Sequence, residues 1–298
     1  MNSIYNYKAF GLNIQSEFEI PEFILSSDKP EVFVRIGKTP QNLQNTNKGG
    51  VRYQSTKNEF LLEIDNIAKF YVKNGNEIIV EPKKELVDKE IRLFLLGSAM
   101  GALFIQRGLL PIHGSTIKSG SAATIFSGQS GVGKSSIAAY FSQNGFKILA
   151  DDISVVNNNL NVVPGFPRMK VWKDIVEKLG VKSNNLTEIR DSIKKYHLSI
   201  EKDFLDQEIE LERIIIIHAR NTPEFECEEI FGIKKFNIIK NNTYRYRFVE
   251  GLEKKQDHFI LLNKLLPKIK VYKVSRPQSP IMLEEFAKFL IKTFNLNA

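Results

Sequence analysis

The stretch Gly128-Gln129-Ser130-Gly131-Val132-Gly133-Lys134-Ser135 constrains this chain more than any other. It completes a G-x-x-x-x-G-K-S pattern, the P-loop or Walker A motif. Its glycines let the backbone curl until successive N–H groups point at phosphate oxygens. The pattern also dictates its surroundings. Ala122-Ala123-Thr124-Ile125-Phe126 is a short apolar run that predicts a buried strand, and Ser136-Ile137-Ala138-Ala139-Tyr140-Phe141 predicts the first turns of a helix whose N-terminal dipole faces an anion. Strand, glycine turn and helix in that order predict an α/β fold with a P-loop core. Gly128, Gln129, Ser130, Gly131, Val132, Gly133, Lys134, Ser135 and Ser136 become the candidate nucleotide-binding residues. Lys134 would reach the outer phosphates, and the Ser135 hydroxyl would ligate Mg2+.

A second apolar run, Lys147-Ile148-Leu149-Ala150, ends in Asp151-Asp152. A carboxylate at the end of a strand beside a P-loop can meet Mg2+ directly or through water. Two adjacent carboxylates can divide the work: one assists the metal, the other accepts a proton from an attacking hydroxyl. The residues alone do not say which does which. Ahead of the loop, His113-Gly114-Ser115 closes a short strand, where His113 could donate to a phosphate oxygen or bond an Asp. Downstream, Arg168 and Lys170 share a face if their segment is extended, and could hold a phosphoryl group or an acceptor carboxylate. Trp172, the one tryptophan, reads as packing.

The remaining chain frames these elements. Residues 1–82 read as β-rich, with strands at Glu31–Ile36, Phe60–Ile64, Ala68–Val72 and Glu77–Val80 in a small antiparallel sheet or meander, and a loop over Asn42–Gly50. Residues 83–298 form the catalytic portion in this division. Within it the pattern predicts a helix over Lys83–Gln106 with Leu86, Ile91, Leu95 and Met100 as core candidates, and a hairpin joining Val155-Val156 to Asn161-Val162-Val163. Further helices are expected over Ile175–Leu179, Gly232–Val249, His258–Leu266 and Leu283–Phe294, with strands at Leu211–Ile217 and Ile269–Val274. Tyr244, Arg245, Tyr246 and Arg247 read as a basic aromatic helix surface.

Forty-two basic against 34 acidic residues give a net charge of +8 over 298 residues, but no recognition motif accompanies the charge, so nucleic acid is not an expected partner. The single cysteine, Cys227, rules out an internal disulfide, and its glutamate neighbours mark it as inert rather than nucleophilic. The first residues lack a signal-peptide pattern, and the longest apolar segment, Leu93–Ile105, is too short for a membrane span. A cytoplasmic protein without a membrane partner is expected.

His113-Gly114-Ser115-Thr116, then Gly128–Ser135, then Ala150-Asp151-Asp152, in this order and spacing, resemble the catalytic domain of the HPr kinase/phosphorylase family. The resemblance covers about Leu109–Val156. It implies a nucleotide fold of the HPr kinase and phosphoenolpyruvate carboxykinase type, with ATP and Mg2+ as cofactors and a protein serine as acceptor. It also implies Asp152 as the base, Ser135 with Asp151 at the metal, Lys134 as phosphate clamp and His113 as a site residue. The glycine-rich signature linked to phosphorolysis does not follow the aspartates, so the reverse reaction is not implied. The β-rich start and Pro167-Arg168-Met169-Lys170-Val171-Trp172 look like HPr-kinase-like proteins of peptide-modifying systems, among them lasso-peptide kinases, which phosphorylate a precursor peptide. The resulting expectation is an ATP-dependent serine kinase acting on a peptide or small protein. A small-molecule hydroxyl kinase and an ATP-gated binding module are the alternatives, and a homo-oligomer is left open.

Overall fold

The computed structural model describes residues 3–46, 48–83, 87–178, 180, 187–190, 193–279 and 282–298. The chain divides into two units, one of Met1–Pro111 with Tyr244–Leu261 and one of Ile112–Thr243 with Leu262–Ala298. Both helices and several sheets are present, so the fold is mixed α/β.

In the first unit, nine strands form one sheet: β1 (Tyr5–Ala9), β2 (Leu12–Ser16), β3 (Ile24–Leu25), β4 (Val32–Ile36), β5 (Lys48–Gly50), β6 (Tyr53–Ser55), β7 (Glu59–Ile64), β8 (Ala68–Lys73) and β9 (Glu77–Pro82). Their order is β3-β1-β2-β4-β9-β8-β7-β6-β5. The sequence pattern suggests an antiparallel sheet, but the sheet is mixed, because β4 lies between β2 and β9 and runs parallel to both. The expected loop over residues 42–50 ends in β5. The helix expected from Lys83 begins at Lys89, where the Asp88 carboxylate accepts from the N–H groups of Glu90 and Ile91 and fixes the start. Leu86 lies outside the described residues. Helix α1 (Lys89–Phe94) passes through a π-helical turn, Leu95–Ala99, into α2 (Met100–Gln106). Ile91, Leu95 and Met100 are buried as their spacing predicts. Gly97 and Gly101 make room for Tyr244: a Cβ on Gly101 would lie 3.1 Å from its ring.

The second unit is built on β10 (Leu110–Ser119), β11 (Ala122–Ser127), α3 (Lys134–Gln143), β12 (Ile148–Ala150), β13 (Ile153–Val156) and β14 (Asn161–Val163). It continues through β15 (Arg168–Trp172), α4 (Lys173–Lys178), β16 (Thr187–Arg190), β17 (Ile193–Ser199), β18 (Ile209–Arg220), β19 (Glu226–Glu229) and α5 (Gly232–Asn242). Then come α6 (Tyr246–Gly251), which belongs to the first unit, α7 (Lys255–Leu265), β20 (Lys270–Pro277) and α8 (Leu283–Phe294). The helix expected over Gly232–Val249 is therefore broken. Thr243 is extended and Arg245 left-handed, and the Tyr244 N–H donates to the Pro111 carbonyl instead of continuing the helix. Phe248 of α6 packs against Tyr53 and Phe60.

Strand β18 is the spine of the second unit. It runs parallel to β11 on one side and to β20 on the other. Ile214–Ile217 are buried, which accounts for their unbroken apolar run. Beyond β11 the sheet continues through β10, β13 and β14, while β15, β17 and β16 form a separate three-stranded sheet. Helices α3 and α8 bury Ile137, Phe141, Phe286 and Leu290 in a core shared with Phe126 and Ile215. Past α8, Asn297 clasps the β10–β11 turn: Gly120 N–H donates to its carbonyl at 3.1 Å, and its own N–H donates to Ser119 Oγ at 3.0 Å. No helix among the described residues is long and apolar enough to cross a membrane.

The turn leaving β11 depends on glycine at its first position. Gly128 has φ +133°, and a Cβ there would meet the Ile217 carbonyl at 2.5 Å. Gly128→Ala should therefore lose about 1–3 kcal/mol through strain alone, read as a lowered thermal midpoint in calorimetry. An unchanged midpoint would refute that geometry.

Candidate active site

The Gly128–Ser135 loop leaves the C-terminal end of β11 and turns into α3, with Gly128, Gly131 and Gly133 all at positive φ. Lys134, at 6 % exposure, folds back over the loop and donates from Nζ to the carbonyls of Gly128 and Gln129 at 3.0 and 2.9 Å. The loop lines a cavity of about 310 Å³ in the second unit. Ser130–Ser136 form one wall; His113, Asp152 and Lys170 stand at another; Val132, Phe225, Met282, Leu283 and Phe286 give it an apolar side.

The turn between β12 and β13 sends the two aspartates in different directions. The turn closes tightly, with Ile153 N–H donating to the Asp151 carbonyl at 2.9 Å, and Asp152 takes φ +70°, a left-handed conformation that Asp tolerates better than most residues. Asp151 points inward. It is 7 % exposed and accepts from Ser115 Oγ at 2.6 Å and from the Lys170 backbone N–H at 2.8 Å. The nearby Ser135 hydroxyl also favours its ionised form. Burial, then the charge of Asp152, pushes the Asp151 carboxyl above its ordinary range, against these three donors. Asp152 points outward with its side chain 32 % exposed, its Oδ2 held by Lys170 Nζ at 2.8 Å. His113 Nδ1 lies 3.0 Å from the Asp152 carbonyl and 3.7 Å from its Oδ1.

The geometry thus brings together Lys134, Ser135, Asp151, Asp152, His113 and Lys170. Arg168, expected beside Lys170, is not among the residues lining the cavity. Trp172 is not simply packing: it lines the cavity and is 41 % exposed. Cys227 is exposed, with its thiol pushed up by partial burial and then by Glu229, as an inert cysteine should be. Sequence reasoning missed Arg276, Phe225, Met282, Leu283 and Phe286. A signal for Arg276 existed, since it ends an apolar strand running parallel to the spine, where sheet sites gather. The apolar side had none, because Phe225 comes from an irregular segment and Met282 and Leu283 from the start of a helix.

Ser135 and Asp151 fit a divalent cation. A hydroxyl and a carboxylate stand near enough to act on one another, and Mg2+ is ordinarily held by one or two carboxylates with phosphates and water supplying the rest. Among the described residues no group of three or more His, Cys, Asp or Glu could hold a metal alone.

No protein-family model and no curated protein matches the chain. Among solved structures it is similar to the HPr(Ser) kinase/phosphatase from Coxiella burnetii, at a TM-score of 0.31 and 12 % identity, over 62 % of this chain and 95 % of that one. A likeness of that degree carries no argument.

Burial first, and the Lys134 charge second, hold the His113 imidazole below its ordinary value of 6.5. The ring is neutral at pH 7, with its proton on Nδ1 toward the Asp152 carbonyl. Between 6.5 and the folded value the unfolded chain holds a proton that the folded one lacks. This contribution to stability is therefore complete above 6.5 and is lost as the pH falls through the folded value. An NMR titration should find the His113 midpoint below 6.5, moved upward in Lys134→Met. A wild-type midpoint at or above 6.5 would contradict the site's electrostatics.

Proposed function

We propose that this chain is an ATP-dependent kinase that transfers the γ-phosphoryl group to a serine hydroxyl of a peptide or small protein. The observation that carries the reading is the divergence of the aspartate pair beside the glycine loop: one carboxylate is buried against Ser135, the other is presented at the cavity on Lys170. A module that only binds nucleotide needs the first and has no use for the second.

In this reading the loop N–H groups and the α3 N-terminus cradle the phosphates, and Lys134 swings from its own loop carbonyls to the β- and γ-oxygens. Ser135 and Asp151 would hold Mg2+, which would supply positive charge to offset that of the phosphates. The apolar side around Phe225 and Phe286 receives the base. Asp152 accepts the proton of the acceptor hydroxyl as its oxygen bonds to the γ-phosphorus, and the bond to the β–γ bridging oxygen breaks, releasing ADP. Lys170 anchors the Asp152 carboxylate during approach, and His113 holds the backbone of the same turn. Asp152 and Trp172 sit at the exposed edge of the cavity, where a hydroxyl carried by a larger molecule can reach, and this supports a peptide acceptor. A lasso-peptide precursor is one acceptor of this kind.

Asp152→Asn keeps the shape and the left-handed backbone while removing the base. It should lower phosphoryl transfer about a hundred- to ten-thousand-fold while leaving ATP affinity nearly unchanged. Mass spectrometry after incubation with Mg-ATP and candidate acceptors reads the outcome. A phosphorylated peptide supports the reading, a phosphorylated metabolite moves the acceptor to a small alcohol, and wild-type activity in Asp152→Asn removes the proposed base.

A further inference from the structure

One cation of the cavity has no role in the mechanism above. Arg276 ends β20, is 8 % exposed and lines the cavity beside the loop. Its Nε donates to the Val132 carbonyl at 3.0 Å and its Nη1 to the Pro277 carbonyl at 2.7 Å. A Cβ on Gly133 would lie 3.9 Å from its Nε and Nη2, so the guanidinium lies beside the loop at a position that has no side chain. Among the described residues no carboxylate pairs with it, and Nη2 makes no hydrogen bond. Burial alone holds the guanidinium below its ordinary value. Lys170, the other cation at the rim, is already matched by Asp152.

A buried charge without a counter-charge is costly, and chains keep one where a ligand supplies the opposite sign. The position says which part of the ligand. Arg276 is bonded to the middle of the loop, and its neighbour Pro277 joins the apolar side, whereas the acceptor end is marked by Asp152 and His113. Resting on the kinase reading, we infer that Arg276 is the counter-charge for the phosphates that are not transferred, the α–β end that leaves as ADP, and that its two fixed hydrogen bonds aim the remaining Nη2 donors at them. Arg suits this task because its planar fork can spend donors on the loop and still present others to an oxyanion.

The inference separates binding from chemistry. Arg276→Met removes the charge at similar volume, and Arg276→Gln keeps an amide donor for the Val132 carbonyl should the Met variant fail to fold. Calorimetric titration with ADP and with ATP should show both weakened by about 10- to 100-fold and by the same factor, as loss of a charge-assisted bond to an anion predicts. In steady state the change should fall on KM rather than kcat. Thermal unfolding supplies a readout that a merely structural role would not give. The upward shift in midpoint that ADP produces, measured from each protein's own nucleotide-free value, should shrink in the variant.

ADP affinity within twofold of wild type, a loss confined to ATP, or an undiminished ADP-induced shift in midpoint would each overturn the inference. Lys134→Ala is the control for the site as a whole. If it weakens ADP binding and Arg276→Met does not, only the role of Arg276 falls; if neither does, the nucleotide site itself falls.

Discussion

The Asp151 carboxylate joins four stretches of chain at one point. Ser115 reaches it from β10 and the Lys170 N–H from β15, Ser135 at the head of α3 lies near enough to favour its charge, and its own backbone forms the turn from β12 to β13. Hydrogen bonds to a buried anion are stronger than those between neutral groups, and leaving such an anion without them is expensive. The same contact that closes the fold here therefore fixes where the polar residues of the cavity can be. Asp152 is aimed by the turn that Asp151 anchors. Lys170 is bound twice, by its backbone to one aspartate and by its ammonium to the other. Burial against those donors also leaves Asp151 a carboxylate that holds its proton more readily than usual, a cost that a divalent cation at Ser135 would offset.

Much of this was legible in the order of residues. The glycine loop declared its strand and its helix, because only that surround lets Gly128 approach the neighbouring strand while Ile137 and Phe141 enter the core. The all-apolar run in β18 and the spaced Leu283, Phe286, Phe289 and Leu290 of α8 were equally readable, since burial imposes those periods. The division of labour between the aspartates was not. It depends on one left-handed residue and on which donors meet it from strands distant in sequence, and neither leaves a local trace. The parallel placement of β4 was hidden for a similar reason, because a strand's own pattern says which face is buried and nothing about its neighbours. The break at Thr243 escaped notice as well: a backbone bond from Tyr244 to the Pro111 carbonyl outweighs the continuing helical pattern.

The arrangement around Arg276 and Lys170 shows how two basic side chains in one cavity can differ in kind. Lys170 is a mobile ammonium with a carboxylate already in place, so its charge is largely balanced before any ligand arrives. Arg276 is a rigid fork fixed to backbone carbonyls. The first sits on a flexible stem and can rearrange, whereas the second is held at two points. A sequence census of charge counts both as one unit, and only their partners distinguish them.

The clasp of Asn297 on the β10–β11 turn has a consequence for how this chain is made. Synthesis runs from the amino end, so the hairpin leading to the glycine loop emerges long before the residue that fastens it. The spine must likewise wait for β20 before both its flanks are covered. Contacts this far apart along the chain are slow to close. The second unit cannot be completed while β20 and α8 are still inside the ribosome, so during that interval an unfinished sheet with bare isoleucines is exposed, and shielding by a chaperone would matter most then.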